Sequence, residues 1–402
     1  MLTLYNLIIH IILIAIKIHS LINKKSREWL SGRKNIFALI ESKTFSENLA
    51  WFHCASLGEY EQAKELIVNF KKQFNEYEIL ITFFSPSGFN NIKKNKNIDW
   101  VFYLPIDTKS NAQKFIEIVK PKIVFFIKSE FWYNYMNILH QKQIPLLHVS
   151  CNFRNKDFAI NNSLSKRILA KSSHFFVQNL SSKEVLNNIN IDNVTITGDS
   201  RFDSIKSNIE LNKKHDTIKK YCQIKPTIIF ASIWPEDEHI YINFINQNTN
   251  YNYVIVPHEL NYCKAISSKL NSILYSNFDE KNFDKILLID KIGILKDIYK
   301  YCEIAYIGGG FGKGIHNLIE ATANNVPVIF GPNHNKFKEA KELIKINAGK
   351  SIKNYIEFVN CIKNIKKDFD SSTTKEYFNK NSGASKKIID FLKKNKSELF
   401  TS

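Results

Sequence analysis

Beyond residue 35 the chain alternates short apolar runs with amphipathic stretches, and it does so in two successive series. Short apolar runs bounded by polar turns fit strands of a parallel sheet covered on both faces. The amphipathic stretches between them are the crossovers that parallel strands require. The first series has runs at residues 50–54, 78–83, 100–104, 122–127, 145–149, 174–177 and 194–197, with helices expected over 60–74, 110–119, 131–141 and 164–170. The second has runs at 227–231, 253–256, 285–289, 304–307 and 327–330, with helices expected over 235–245, 260–270, 294–301, 316–323 and 337–346. The polar stretch 204–217 has few large apolar residues and reads as a linker, and 385–395 is a further amphipathic helix. The expectation is an α/β chain of two Rossmann-like doubly wound domains facing a cleft at the carboxyl ends of their sheets. Its divisions fall at 1–23 (an N-terminal membrane anchor), 36–205, 218–370 and 371–402 (a C-terminal helical segment). A length of 402 residues suits this, at roughly 100–200 residues per domain.

The 56 Lys and Arg residues outnumber the 38 Asp and Glu, for a net charge of +18. Such a balance suits a polyanionic partner: nucleic acid, an anionic membrane or a phosphorylated substrate. The abundance of Lys, Ile and Asn also fits simple compositional drift. The basic residues come in pairs such as Lys386-Lys387 and Lys393-Lys394, not interleaved with aromatics, and no nucleic-acid-binding module is recognisable, so nucleic acid is not an expected partner. The six cysteines are scattered without a Cys-x-x-Cys pair, which excludes zinc ribbons and thioredoxin-like motifs and fits a reducing compartment.

Residues 7–16 are strongly apolar, and Lys17, Lys24, Lys25, Arg27, Arg33 and Lys34 follow. A secretory signal would place charge before the apolar run and small residues after it, the reverse of what stands here. The expectation is a membrane anchor that spans or lies on the bilayer, with the basic cluster holding all that follows on the cytoplasmic face.

Gly308, Gly309, Gly310, Gly312 and Gly314 follow the expected strand at 304–307 and precede an expected helix at His316. Such a turn lets backbone N–H groups approach an anion. The spacing fits neither the dinucleotide fingerprint nor the P-loop, which leaves a nucleotide-sugar phosphate as the natural occupant. Glu320, one turn into that helix, suits ribose hydroxyls. In the first series, Glu59 follows the first strand and Glu130 follows the fourth. A carboxylate at a sheet's carboxyl edge can take a proton from an attacking hydroxyl. Asp368-Phe369-Asp370 ends no strand and reads as a solvated pair, so neither metal nor cofactor is expected.

These segments resemble those of the 3-deoxy-D-manno-octulosonic acid (Kdo) transferases that act on the lipid A precursor. The likeness rests on Ala55-Ser56-Leu57-Gly58-Glu59, Ser85-Pro86-Ser87-Gly88, Leu104-Pro105-Ile106-Asp107 and Ser129-Glu130-Phe131-Trp132. It continues through Gly198-Asp199-Ser200-Arg201, Ala231-Ser232-Ile233-Trp234-Pro235-Glu236-Asp237, Pro257-His258-Glu259 and the glycine loop through Glu320. The resemblance implies a GT-B fold, CMP-Kdo as donor and an acylated glucosamine disaccharide bisphosphate as acceptor, at the inner membrane's cytoplasmic face with its anionic lipids. It also implies an inverting displacement with Glu59 as base and Glu130 near the acceptor. Ser232, His258, Gly309, Gly310, Gly312, Asn317 and Glu320 are then the donor-binding candidates. Arg201 is either a fixed charge for the donor or the partner of Asp199 or Asp203. Another GT-B nucleotide-sugar transferase or an epimerase is the alternative reading.

Overall fold

The computed structural model describes residues 2–92, 97–155, 157, 163–210 and 213–400. They form two compact units: Met1–Ser204 with Asn381–Ser402, and Ile205–Lys380.

The first unit is built on a seven-stranded sheet of β1 (Leu49–Cys54), β2 (Glu78–Phe83), β3 (Trp100–Tyr103), β4 (Ile123–Ile127), β5 (Leu146–Cys151), β6 (His174–Val177) and β7 (Val194–Ile196). Every strand pair is parallel, in the order β3-β2-β1-β4-β5-β6-β7. Side chains alternate faces along a strand, so one sheet feeds two cores. Trp51, Leu80 and Val124 enter one, and Phe52, Ile79 and Phe125 enter the other. That is why these strands read as unbroken apolar runs.

The second core is closed by the end of the chain. Ile388 and Leu392 of helix Ala384–Lys394 pack with Leu66 and Phe70 of helix Leu57–Gln73. Asp203 accepts the backbone N–H groups of Gly383 and Ser385. The expected 371–402 segment is therefore not one piece, because its last helices belong to the first unit.

The second unit repeats the plan with β8 (Thr227–Ile233), β9 (Asn252–Pro257), β10 (Ser272–Leu274), β11 (Ile286–Leu288), β12 (Ile304–Ile307), β13 (Val328–Phe330) and β14 (Gly349–Ser351). The order is β10-β11-β9-β8-β12-β13-β14, again all parallel. Ile229 and Ala305 enter one core and Phe230 and Tyr306 the other. The stretch expected as a linker is helical over Arg201–Glu210 and again from Asp216, with residues 211–212 outside the described residues. Phe202 and Ile205, three apart and both buried, are the apolar stripe that holds the first of these helices.

At the amino terminus, helix α1 (Leu2–His19) leads into α2 (Lys24–Ser31), whose Asn23 cap accepts from Ser26 N at 3.1 Å. Among the described residues no helix is long and apolar enough to cross a membrane.

Candidate functional site

In a parallel sheet the crevice for ligands opens where neighbouring strands send their crossovers to opposite sides. In the first unit that point lies between β1 and β4, which pair in register through His53 and Phe126. Residues 55–59 and 128–132 leave the sheet there, side by side.

Ser56 stands at the N-cap of helix Leu57–Gln73, and Glu59 lies in its first turn, where a carboxylate is favoured by the unpaired N–H groups. The Ser56 hydroxyl donates to Glu59 Oε2, and Lys128 Nζ lies 3.5 Å from Oε1. The Glu59 side chain is only 13% exposed. Lys128 itself adopts a left-handed backbone at φ 63, unusual for a residue with a Cβ. Burial, together with the neighbouring Glu59 charge, pushes the Glu130 carboxyl up to about 7, with Lys128 and Trp132 acting against the rise. The buried Cys54 thiol is held well above its ordinary value by the same burial and by both carboxylates.

Trp132 is held from below. Its indole N–H donates to His53 Nε2 at 2.9 Å, and His53 Nδ1 meets Thr82 Oγ1 at 2.9 Å. A ring that accepts at Nε2 carries its proton on Nδ1, so His53 is neutral. Full burial agrees, lowering its pKa to about 3. Sequence reasoning gave His53, Lys128 and Trp132 no role. The polar His inside an otherwise apolar strand is the sign that was available.

In the second unit the crossover point lies between β8 and β12. Ser232 sits there at φ 54, where the register with β9 shifts between Ala231 and Ile233. The glycine loop rises beside it. Gly309 has φ 87, and a Cβ on Gly310 would meet Gly331 N at 2.6 Å, so only glycine fits either place. Asp237, fully buried, joins the two segments. Its Oδ2 accepts from Trp234 N at 2.9 Å and Gly309 N at 3.0 Å, and its Oδ1 from Tyr306 OH at 2.7 Å.

This corrects one expectation. The Gly309 N–H is engaged by Asp237 and the Gly312 N–H by Gly309 O at 3.0 Å, so these two glycines shape the loop instead of offering phosphate donors. The helix expected from His316 is also shorter, Ile319–Ala323, because Asn317 Oδ1 takes the Ile319 N–H at 3.0 Å. A helix this short brings little dipole to an anion. Asn317 Nδ2 also donates to Glu320 Oε1 at 3.0 Å, so those two candidates stand together.

His258 is exposed yet stacks on two rings at once. Its centroid is 4.4 Å from Trp234 and 4.4 Å from His316, whose planes lie within 5° of each other. Trp234 Nε1 donates to His316 Nε2 at 2.8 Å. Burial and the nearby His258 lower His316 to about 4, so both the bond and the environment keep it neutral. Trp234, Asp237 and His316 lie within segments that the sequence marks, but their roles come from contacts across the sheet edge.

Arg201 grips Asp199 Oδ2 with its Nε and Nη2 at 2.8 and 2.7 Å. Asp368 pairs with Lys350 at 3.2 Å, while Asp370 caps helix Ser371–Asn381 through Ser372 N at 2.9 Å. Each aspartate of the Asp-x-Asp thus has protein partners of its own, Lys350 for Asp368 and Ser372 with Thr373 for Asp370.

Residues 31–204 match a family model described as 3-deoxy-D-manno-octulosonic-acid transferase (kdotransferase). A 3-deoxy-D-manno-octulosonic acid transferase of Rickettsia bellii is 28% identical over 380 residues, 88% of each chain. A bifunctional glycosyltransferase/methyltransferase of Fusobacterium nucleatum is 27% identical over 376 residues, 88% of this chain but only 57% of that longer protein. Among solved structures, a putative UDP-N-acetylglucosamine 2-epimerase from Listeria monocytogenes is similar with a TM-score of 0.63 at 14% identity, over 88% of this chain and 98% of that one. The last likeness concerns the fold, two parallel-sheet Rossmann-like domains of the GT-B kind. The chain is thus similar to the 3-deoxy-D-manno-octulosonic-acid transferases, a family of glycosyltransferases, by the family model over residues 31–204 and by its curated relatives over most of its length.

Proposed function

We propose that the protein transfers Kdo from CMP-Kdo to a hydroxyl of the acylated glucosamine disaccharide bisphosphate that precedes lipid A. The observation that carries this reading is Glu59: a largely buried carboxylate at the crossover point of the first sheet, oriented by Ser56 and Lys128. With Oε2 occupied by the Ser56 hydroxyl, Oε1 is the oxygen that takes the proton of the attacking hydroxyl. The hydroxyl oxygen then bonds to the anomeric carbon of Kdo as the bond to the phosphate of CMP breaks, with inversion and a single base. Glu130, titrating near neutrality, offers a proton-bearing carboxyl that can donate to an acceptor oxygen. The glycine loop gives a smooth surface for the phosphate, Asn317 and Glu320 suit ribose hydroxyls, and Ser232 and His258 flank them in the same unit. The acceptor's phosphates fit the net charge of +18. On this reading the work is done at the cytoplasmic face of the inner membrane, held there by α1 and anionic lipids.

The test is Glu59→Gln assayed with CMP-Kdo and the acyl disaccharide bisphosphate. Loss of a general base lowers kcat by about 10²–10⁴-fold. Near-wild-type kcat removes Glu59 as the base. Thermal protection by CMP but not UDP separates this donor from that of a UDP-sugar enzyme, and the reverse result overturns the CMP-Kdo assignment.

A further inference from the structure

The Trp132 indole stands where two assemblies of the first unit meet. One runs across the sheet. His53 and Thr82 are register partners on β1 and β2, and Trp51 lies two residues before His53, on the same face. All three are fully buried. Trp51 Nε1 donates to Thr82 Oγ1 at 2.8 Å, and His53 Nδ1 meets the same oxygen at 2.9 Å. An indole nitrogen only donates, so His53 Nε2 is the acceptor of its 2.9 Å bond with Trp132 and the ring proton sits on Nδ1. The two tryptophans thus donate inward from either end, and the His53 tautomer is set by both.

The second assembly grips the ring of Trp132. Phe84 packs on it with centroids 4.9 Å apart. Arg33 lies behind Phe84. It donates to Phe84 O at 2.7 Å and Leu104 O at 3.0 Å, and its guanidinium is 5.1 Å from the Phe84 ring centroid and 3.9 Å from that of Trp29. Arg33 therefore leaves the basic cluster in which the sequence counts it, as a buried cation among aromatic rings. Its charge opposes protonation of His53, in the same direction as burial.

Glu130 lies two residues before Trp132. The groups that face it come from three places: Glu59 from helix Leu57–Gln73, Cys54 from the end of β1, and Lys128 and Trp132 from its own turn after β4. The indole favours the ionised carboxylate, as a hydrogen-bond donor does. The Trp132 N–H thus has two acceptors beside it, a neutral imidazole and a carboxyl.

We infer that His53 is a positioning residue: it engages the Trp132 indole N–H and so limits what that donor gives to Glu130. A carboxylate that gains a donor releases its proton more readily. With the indole turned to His53, Glu130 keeps a proton to offer an acceptor oxygen. The inference rests on that proposed role of Glu130 and adds the group that governs it.

The test follows the Glu130 carboxyl by carbon-13 NMR in the full chain, with Glu130→Gln to assign its signal. His53→Leu and His53→Phe remove the acceptor and free the indole N–H. Each is expected to lower the Glu130 titration below its present value near 7. Trp132→Phe removes the donor, keeps a ring against Phe84 and is expected to raise that titration. His53→Gln can accept the N–H through Oε1 and is expected to hold the wild-type value. Simple loosening of the core would admit water and lower the titration in the His53 and Trp132 variants alike, since burial is the largest cause of the rise. A fall in Trp132→Phe, no fall in either apolar His53 variant, or a fall in His53→Gln as large as theirs overturns the inference. Should neither apolar variant fold, the sign of the Trp132→Phe shift decides. The basic limb of the pH profile of kcat/KM for Kdo transfer is expected to move in the same order. Absence of Kdo transfer by the unsubstituted chain overturns the reading of Glu130 as an acceptor-side group, while the titrations still decide whether His53 governs its proton.

Discussion

Lys128 Nζ stands 3.5 Å from Glu59 Oε1 and acts on Glu130 as well, so one cation serves two carboxylates at the crossover point of the first sheet. Its left-handed backbone at φ 63 turns the chain so that residue 128 can face Glu59 while Glu130 follows two residues later. Lys128→Met keeps the length of the stem and removes the charge. The Glu130 carboxyl is then expected to titrate above its present value near 7, since the cation's pull is downward. Carbon-13 NMR titration of labelled Glu side chains reads this directly, and an unmoved Glu130 titration sinks the shared-cation account.

Glu130 also gives stability a pH dependence of known sign. Its carboxyl rises from an ordinary 4.5 to about 7 on folding. The folded chain therefore binds that proton more tightly than the unfolded chain. The contribution is fully present below about pH 4.5 and is lost as pH rises through 7. Glu130→Gln removes the titration, so the variant is expected to gain on the wild type between pH 5 and pH 8. Denaturant unfolding at the two pH values checks this, and an equal difference at both contradicts it.

The glycine loop sorts its own members. A Cβ on Gly310 would meet Gly331 N at 2.6 Å and Gly331 Cα at 2.7 Å, backbone atoms that have no rotamer to escape into. A Cβ on Gly312 would find nothing nearer than 3.6 Å, a Glu236 side-chain atom. Gly310→Ala is expected to destabilise by about 1–3 kcal/mol and to abolish thermal protection by CMP. Gly312→Ala is expected to be tolerated in both measurements. Equal tolerance of the two would show that the Gly310–Gly331 approach is not needed.

Much of this was legible in the residues because both sheets are covered on two faces, which turns their strands into apolar runs. β10 and β14 escaped notice because they are three-residue edge strands, and Gly349-Lys350-Ser351 carries no apolar residue at all. The helix Tyr355–Asp368 was equally invisible as a crossover, since no strand follows it. Glu59, Glu130 and Ser232 could be found from position alone, at strand ends flanking a crossover point. Lys128, Trp132, Trp234 and Asp237 could not. Their roles depend on which strand lies beside which, as Trp132 reaching His53 across 79 residues of sequence makes plain.

Asp237 offers the sharpest separation of charge from hydrogen bonding. Its Oδ2 holds two buried N–H donors, from Trp234 and Gly309, while Oδ1 faces a tyrosine hydroxyl that can either donate or accept. Asn at this position can keep its oxygen on the two N–H groups and donate from Nδ2 to the Tyr306 oxygen. Asp237→Asn is therefore expected to fold and to retain CMP protection. Asp237→Ala strands both donors in a dry site, at about 1–3 kcal/mol for each. Tyr306→Phe completes the comparison. In the wild-type background it removes one donor from a carboxylate that retains two. In the D237N background it leaves an amide N–H facing a phenyl ring. The second loss is expected to be the larger. Thermal unfolding of the four chains measures both steps, and identical losses would mean that the Tyr306 hydroxyl does not reverse its bond.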